Sequence, residues 1–441
     1  MAIAPAGGLL RKTLHTFATL LFGQGASVAA GIATAHAFGP AGKGVISFAG
    51  VLITFAITSA DGLRSAVAYQ VGTEARDASS VWHSALRIMA FLAPLGIAIF
   101  LVLGHLNPTQ PAFLYVAVAF PFAMYVQAVG IVYLLRDHVE RINVKNAATI
   151  GGGGSLLTLA LIVVLHASLP IVLGAWVATY VAAAIWSTFG VEALLGVRRA
   201  AQNGRDLMLQ QLAFGAKSTL SSNVTFLALR VDVFIVSAAL SPVALGVYTL
   251  ALATGEVMWG VSRSMFWSSS GRVATLPFAE SAALTARVAR SVVALQLAGG
   301  AALFVAGPWL ITHVYGARFA GAGGVLRLLL PGMIFYSADA MLSYFIAVRA
   351  GRPGLLLGLE CVTLVVCGTI TYATVGRFGI YGAALANTIA YLASYAIKVG
   401  FFTRLSGVRV SAVLLARPSD VPASLRNRFW RTRTTPLPAD L

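Results

Sequence analysis

Charge is scarce in this chain, and negative charge scarcest of all: 10% of its 441 residues are charged, and Asp and Glu together number 14. A soluble domain carries about 25% charged residues, so an ordinary water-facing surface cannot be built from this sequence. Cysteine is nearly absent. Cys361 and Cys367 lie six apart in one apolar stretch and point to different helix faces, which excludes a disulfide and a metal site between them. The seven histidines show no metal-binding spacing, and no catalytic triad is visible. Gly151 to Gly154 lacks the Gly-Lys-Ser/Thr ending of a phosphate-binding loop; the run suits close packing or bending of a helix instead. Asn223-Val-Thr225 fits a glycosylation sequon but lies inside an apolar span.

What the chain has in abundance is apolar surface, with 58% hydrophobic residues and a mean hydropathy of +0.84. The length would fill two or three soluble domains but divides better into membrane spans of about 20 residues. Twelve spans are expected, at 14–38, 45–70, 85–104, 111–135, 147–166, 170–195, 212–240, 244–270, 291–312, 324–348, 354–374 and 381–402. Ala35-His36-Ala37 resembles a signal-peptidase site, but the apolar run before it is long for a signal core, and a retained first helix is expected.

The net charge of +17 is not a nucleic-acid footprint. The stretch from Thr403 onward holds seven arginines against Asp420 and Asp440 and supplies +5 of it. Most of the rest sits in short loops between spans. With the N-terminus inside, 22 of the 31 Lys and Arg fall on the cytoplasmic side and only Lys43, Arg318 and Arg377 on the other. That asymmetry predicts cytoplasmic N- and C-termini in a plasma (inner) membrane.

Two spans hold charges that a lipid-facing helix could not. Leu212 to Leu240 contains Lys217, Arg230 and Asp232; Ala244 to Ser270 contains Glu256 and Arg263. One charge at the bilayer centre costs roughly 2.5–3.5 kcal/mol on insertion scales. These five are therefore expected to face a protein interior, a partner charge or a wet cavity, which is a transporter's feature.

The two halves repeat. Pro40-Ala-Gly-Lys-Gly44-Val45-Ile-Ser-Phe-Ala49 aligns with Pro242-Val-Ala-Leu-Gly246-Val247-Tyr-Thr-Leu-Ala251 at an offset of 202. Any outer turn favours Pro and Gly, but both copies fall at equivalent turns and the offset lays spans 1–6 over spans 7–12. Six is even, so the halves are parallel copies about an axis along the membrane normal. The fold class expected is all-α integral membrane: twelve helices in two six-helix bundles. The N-lobe would run 1–202, the C-lobe 203–403, and a basic cytoplasmic tail 404–441.

At this point the sequence resembles the oligosaccharide (O-antigen and polysaccharide) flippases. Their superfamily also holds multidrug and toxin extruders and lipid II flippases. The residues carrying the likeness are Phe38-Gly39-Pro40-x-x-x-Gly44, Arg230-Val-Asp232-Val-Phe-Ile-Val, Gly246-Val-Tyr248-x-x-Ala251 and Pro277. The resemblance implies a central cavity and movement of a polyprenyl-diphosphate-linked glycan from the inner to the outer leaflet. Twelve spans, where lipid II flippases typically have fourteen, argue against a peptidoglycan precursor as cargo. No cofactor, metal or nucleic acid is called for; the partners expected are the lipid-linked glycan, membrane lipids and a coupling ion, H+ or Na+.

Depth assigns the charges. Arg64, Lys217 and Arg263 fall roughly 8–11 Å below the cytoplasmic helix ends at 1.5 Å per residue, where a cationic cluster suits a diphosphate headgroup. Arg230, in the outer half, would be a later contact. Competing readings are snorkelling for Lys217 and mutual neutralisation of Asp61 and Arg64 at i,i+3. Arg230 shares a helical face with Thr219 and Asn223, Asp232 shares the opposite one with Ser221 and Thr225, and either face can be the cavity. Glu360 and Lys398 fall at similar depth and are expected to pair. Asp339, with no evident partner, and Glu256 are the leading candidates for ion coupling, followed by Asp61 and Asp232. The segment 271–292 reads as an amphipathic interfacial connector and 426–433 as a lipid-lying basic segment.

Two rivals remain: a cation-coupled small-molecule exporter of the same fold, whose cavity would favour acidic or aromatic residues, and a membrane enzyme acting on a polyprenyl-linked donor. The enzyme needs a sizeable outer loop, and the longest here, near 313–324, offers only His313, Tyr315 and Arg318.

Overall fold

The computed structural model describes residues 6–72, 74, 77–135, 139–191 and 204–414, and these are helical with no strand among them. Among the described residues, nine helices are long and apolar enough to cross a membrane, and a bent pair makes a tenth. Two of the ten must cross twice. Ala6–Gly72 has 67 residues and Pro353–Ser406 has 54, whereas about 20 residues span a bilayer. Each turns back at a glycine with positive φ, Gly39 (φ 62°) and Gly379 (φ 57°), a conformation that costs other residues roughly 1–2 kcal/mol. The twelve expected crossings are thus present.

In chain order they are α1 (6–38), α2 (40–72), α3 (Ala78–Leu106), α4 (Ala112–Leu135) and α5, in two pieces, Val139–Ala148 and Gly152–Val163. Then come α6 (Leu169–Thr188), α7 (Gly204–Ala239) and α8, again in two pieces, Pro242–Glu256 (α8a) and Trp259–Thr275 (α8b). The chain continues through α9 (Phe278–Tyr315), α10 (Gly321–Tyr336, Asp339–Tyr344 and a π-helical turn, Phe345–Arg349), α11 (353–378) and α12 (380–406). The first six pack on one another as one bundle and the last six as another. The expected boundary at 202/203 lies outside the described residues.

Two expectations need correction. The segment 271–292 is no separate connector. Its ends belong to α8b and α9, separated only by Leu276 and the helix-capping Pro277. A run of small apolar residues with spaced charges extends a helix as readily as it lies on a surface. Several helices also outrun their predicted limits. Helix α7 begins at Gly204 and α9 at Phe278, because polar flanking turns are helical even where hydropathy no longer marks them. Beyond α12, Val410–Leu414 forms a short helix whose Val413 is buried and whose Ala412 carbonyl accepts from the guanidinium of buried Arg290 on α9. The segment 426–433 lies outside the described residues.

The lobes meet unevenly. At the end of the molecule carrying Gly39 and Gly379, the far end, the two copies of the repeat touch each other. A Cβ on Gly44 would collide with the Pro242 carbonyl, and one on Gly246 with the Pro40 carbonyl. That reciprocity is the mark of a two-fold contact, and it places the repeat axis between the two glycines.

Along one flank, α2 and α7 stay in contact down to the arginine-rich, or basic, end. Asn223 Nδ2 donates to Ser59 Oγ at 3.0 Å, the Ser218 hydroxyl donates to Ser65 Oγ at 3.0 Å, and Tyr69 stacks on Phe214 at 4.8 Å. Gly62 and Gly215 let the two backbones approach there, as small residues do between helices in lipid. On the opposite flank, α8a packs on α1–α2, while α8b packs on C-lobe helices. Among the described residues the lobes are joined at the far end and along the α2–α7 flank.

Candidate functional site

Between the lobes lies a cavity of about 280 Å³, lined by Ser47 and Thr54 of α2, Phe226 and Arg230 of α7, and Thr249 and Glu256 of α8a. Arg230 and Glu256 form a two-pronged ion pair across it, Nη1 to Oε1 at 2.5 Å and Nη2 to Oε2 at 2.9 Å, each side chain about one-fifth exposed. Glu256 is the last residue of α8a, where the helix dipole disfavours a carboxylate, and the guanidinium offsets that cost with two parallel charged hydrogen bonds. Immediately beyond Glu256 the helix breaks and bends by 43°. Gln296 of α9 donates to the Met258 carbonyl at 2.7 Å and the Ser262 hydroxyl at 2.7 Å, tying α9 to the break and to the first turn beyond it. The ion pair and Gln296 thus hold the two sides of a hinge.

The opposite face of α7 has another purpose. Asp232 is fully buried and accepts from the Val233 amide (2.8 Å), the Tyr248 hydroxyl and Asn387 Nδ2 (2.7 Å). Its lone pairs are taken by three donors inside the C-lobe. Thr219 and Asn223, on the Arg230 face, bond to α2. The two faces left open by the sequence are thereby told apart: Arg230 lines the inter-lobe cavity, and Asp232 ties α7 to α8 and α12.

Asp339 requires a correction, because it does have a partner. Lys398 Nζ lies 2.7 Å from Asp339 Oδ2 and 2.6 Å from Glu360 Oε1, with the lysine side chain wholly buried. Ser343 adds a hydrogen bond to Asp339 at 2.9 Å. The expected Glu360–Lys398 pair forms, but as one arm of a triad with two carboxylates and one ammonium. Lys398 reaches Asp339 across from α12 to α10, a juxtaposition that nothing in the local sequence announces.

Arg64, Lys217 and Arg263 are all exposed at the basic end. Arg64 and Lys217 flank the α2–α7 seam beside the Ser65–Ser218 bond. Asp61, half-buried, has the Ser222 hydroxyl and Arg64 as neighbours. Arg263 stands on another helix, α8b. It lies twelve residues before Thr275, the end of that helix, and so deeper than the sequence alone predicted.

No family model matches this chain, and no curated protein matches it by sequence. Solved structures do match. The inward-facing conformation of a multidrug resistance MATE family transporter of the MOP superfamily superposes with a TM-score of 0.67 at 15% identity, over 87% of this chain and 95% of that one. The lipid II flippase MurJ, in its inward closed conformation, gives 0.68 at 15% identity over 90% of each chain. The outward-facing conformation of a MATE family transporter gives 0.58 at 16% identity, over 91% of this chain and 96% of that one. The fold is that of the MOP transporters. These neighbours are transporters and flippases, not enzymes.

Within this MOP fold a second cavity, of about 430 Å³, lies inside the N-lobe among α1, α2, α4, α5 and α6. Sequence reasoning missed it. The signal was there in Gln24, Gln127, Asn143 and Asn146, four amides in or beside apolar stretches. Amides carry no net charge, and the search for buried charge passed over them. The glycine run at its edge behaves as expected on both counts. Helix α5 breaks between Ala148 and Gly152, and Gly152 admits the Phe22 ring where any Cβ would clash.

Proposed function

We propose that this protein moves a polyprenyl-diphosphate-linked oligosaccharide from the cytoplasmic to the outer leaflet for surface polysaccharide assembly, with its basic end and both termini in the cytoplasm. The observation that carries this reading is the cationic character of the inter-lobe region: Arg230 lines the cavity between the lobes, and Arg64, Lys217 and Arg263 stand exposed on the helices that run from it toward the basic end. A cargo with a polyprenyl tail must bring its headgroup between the lobes while the tail stays in lipid, and an anionic headgroup suits those cations. Guanidinium groups grip a diphosphate through paired hydrogen bonds, and Arg263, with no ion pair of its own among the described residues, is the principal headgroup contact. Arg230 would be reached later, once headgroup binding competes with Glu256.

The hinge after Glu256 supplies the motion. With α8a held at the far-end seam, a swing of α8b about the break would open and close the basic end. Ion coupling falls to the Asp339–Glu360–Lys398 triad. Its two carboxylates exceed its single ammonium by one negative charge, and Glu360 Oε2 has no hydrogen-bond partner. A proton or a sodium ion there would complete the balance. Asp232, satisfied by three donors, and Asp61, beside Arg64, serve structure on this reading, while Glu256 acts at the hinge.

A small-molecule exporter is the rival. Among the described residues the one carboxylate lining the central cavity, Glu256, is committed to Arg230, which offers a cationic drug no free acid there. The deciding experiment reconstitutes the protein in proteoliposomes containing a fluorescent polyprenyl-diphosphate-linked glycan. The expected result is protein-dependent exposure of the glycan to an added glycosidase, lost in Arg263→Glu. Export of a cationic dye without glycan movement would establish the rival.

A further inference from the structure

The N-lobe cavity has a chemistry of its own. Its polar wall is made by Gln24 and Ser27 of α1, Gln127 of α4, Asn143 and Asn146 of α5, and Tyr180 of α6, with aliphatic side chains between them and no charged residue in the lining among the described residues. Without a cation there is no anchor for a diphosphate, and without a carboxylate there is none for an organic cation. Side-chain amides present donor and acceptor atoms together, which suits partners that also do both, hydroxyl groups foremost. Asn146 Oδ1 has no hydrogen-bond partner, so at least one acceptor in this wall is unspent. The volume of about 430 Å³ falls within the span of small-molecule sites, roughly 300–1,000 Å³.

Position connects it to the central cavity. Ile57 lines the N-lobe cavity and Thr54 the inter-lobe one. Three residues apart on α2, they lie within about 4.5 Å along the helix axis and near one face. The two spaces are therefore neighbours at the same membrane depth, one charged and one neutral.

We propose that the N-lobe cavity is a neutral-carbohydrate subsite, holding a sugar residue of the cargo while the diphosphate stays with the cations at the basic end. As a statement about cargo it rests on the flippase reading; as a sugar site it stands on the lining alone. The subsite explains why α5 breaks where it does. An unbroken α5 would carry its helix straight past the break at 149–151, whereas the bent one sets Asn143, Asn146 and Gly151 along a single cavity wall.

The test uses the full-length protein in lipid nanodiscs, with Cys361→Ser removing the exposed thiol and Ala147→Cys reporting from the cavity wall. The rate of maleimide labelling is measured against a panel of neutral mono- and oligosaccharides and the glycan released by mild acid from the host's lipid-linked pool. Sodium pyrophosphate and tetramethylammonium chloride are the charged controls. At least one neutral sugar should slow labelling tenfold or more, with protection lost in Gln127→Leu and in Asn146→Leu and kept in Arg263→Ala. Saturation-transfer NMR with the same sugars on the unsubstituted protein gives the answer without relying on any variant's folding.

The subsite is overturned if no sugar binds by either method, if protection survives both leucine variants, or if pyrophosphate or tetramethylammonium protects in place of sugar. Sugar protection in a protein that moves no lipid-linked glycan overturns the flippase reading and leaves the subsite standing. Glycan movement without sugar protection does the reverse.

Discussion

At the scale of single residues, some charged side chains are spent on one another and others are left exposed. Arg230 and Glu256 belong to the first group. Removing either partner leaves the other ionised in a setting only about one-fifth exposed. Arg230→Met and Glu256→Gln are therefore each expected to cost about 1–3 kcal/mol, with the double variant regaining more than half. Thermal unfolding of the four proteins in detergent, analysed as a double-mutant cycle, measures the coupling. Additive losses would show that the two groups do not work as a pair.

Lys398 is the more severe case because it is wholly buried between two acids. Breaking a buried pair costs about 3–5 kcal/mol, so Lys398→Met should fail to accumulate, and adding Asp339→Asn and Glu360→Gln should restore it. Asp339→Asn alone, with Lys398 still held by Glu360, should accumulate normally. Its transport should no longer respond to an imposed proton or sodium gradient.

Arg263 belongs to the exposed group. Lysine keeps its charge and loses the bidentate geometry, so Arg263→Lys should retain partial transport, Arg263→Ala lose most of it and Arg263→Glu abolish it. The readout is finished glycan at the surface against lipid-linked precursor accumulated inside. Parental transport by Arg263→Glu at equal abundance would remove Arg263 from the headgroup site.

At the scale of elements, two helices that interrupt themselves border the cavities to which the proposed functions are assigned. Helix α8 breaks after Glu256, and α5 breaks beside the neutral cavity. At the far end the reciprocal packing of Gly44 and Gly246 against the opposite Pro carbonyls leaves no room for a side chain. Gly44→Leu and Gly246→Leu should each prop that seam open and lower transport at normal membrane abundance, by similar amounts because the contact is symmetric. Gln296→Leu removes both bonds to the α8 break and should loosen α8b. Faster hydrogen exchange confined to the neighbourhood of 257–262 is the signature to look for.

At the scale of the whole molecule, sidedness is the open quantity that a simple experiment fixes. Arg377 and Arg352 are both exposed, at opposite ends of α11. A membrane-impermeant maleimide should label Arg377→Cys in intact cells and Arg352→Cys only after permeabilisation, in a background lacking Cys361. The reverse pattern would place the basic end outside and invert the proposed direction of transport.

Much of this architecture was legible in the chain. Spans follow from local hydropathy, because every backbone group in lipid must be satisfied within its own helix; sidedness is expected from the loop arginines for a similarly local reason. The parallel repeat was readable in Pro40 to Gly44 and Pro242 to Gly246, whose likeness foretold equivalent places and whose contact the structure then showed. What only the tertiary structure decided is which charge meets which. Arg230 and Glu256 are 26 residues apart, Asp339 and Lys398 59, Asp232 and Asn387 155. Each partnership depends on how one helix is rotated against another, which periodicity along a single helix does not encode. The same holds for the amide-lined cavity, assembled from five helices, four of which supply polar residues that look unremarkable one by one. It holds too for the 43° bend after Glu256, which α8 has and its repeat mate α2, continuous from 40 to 72, lacks.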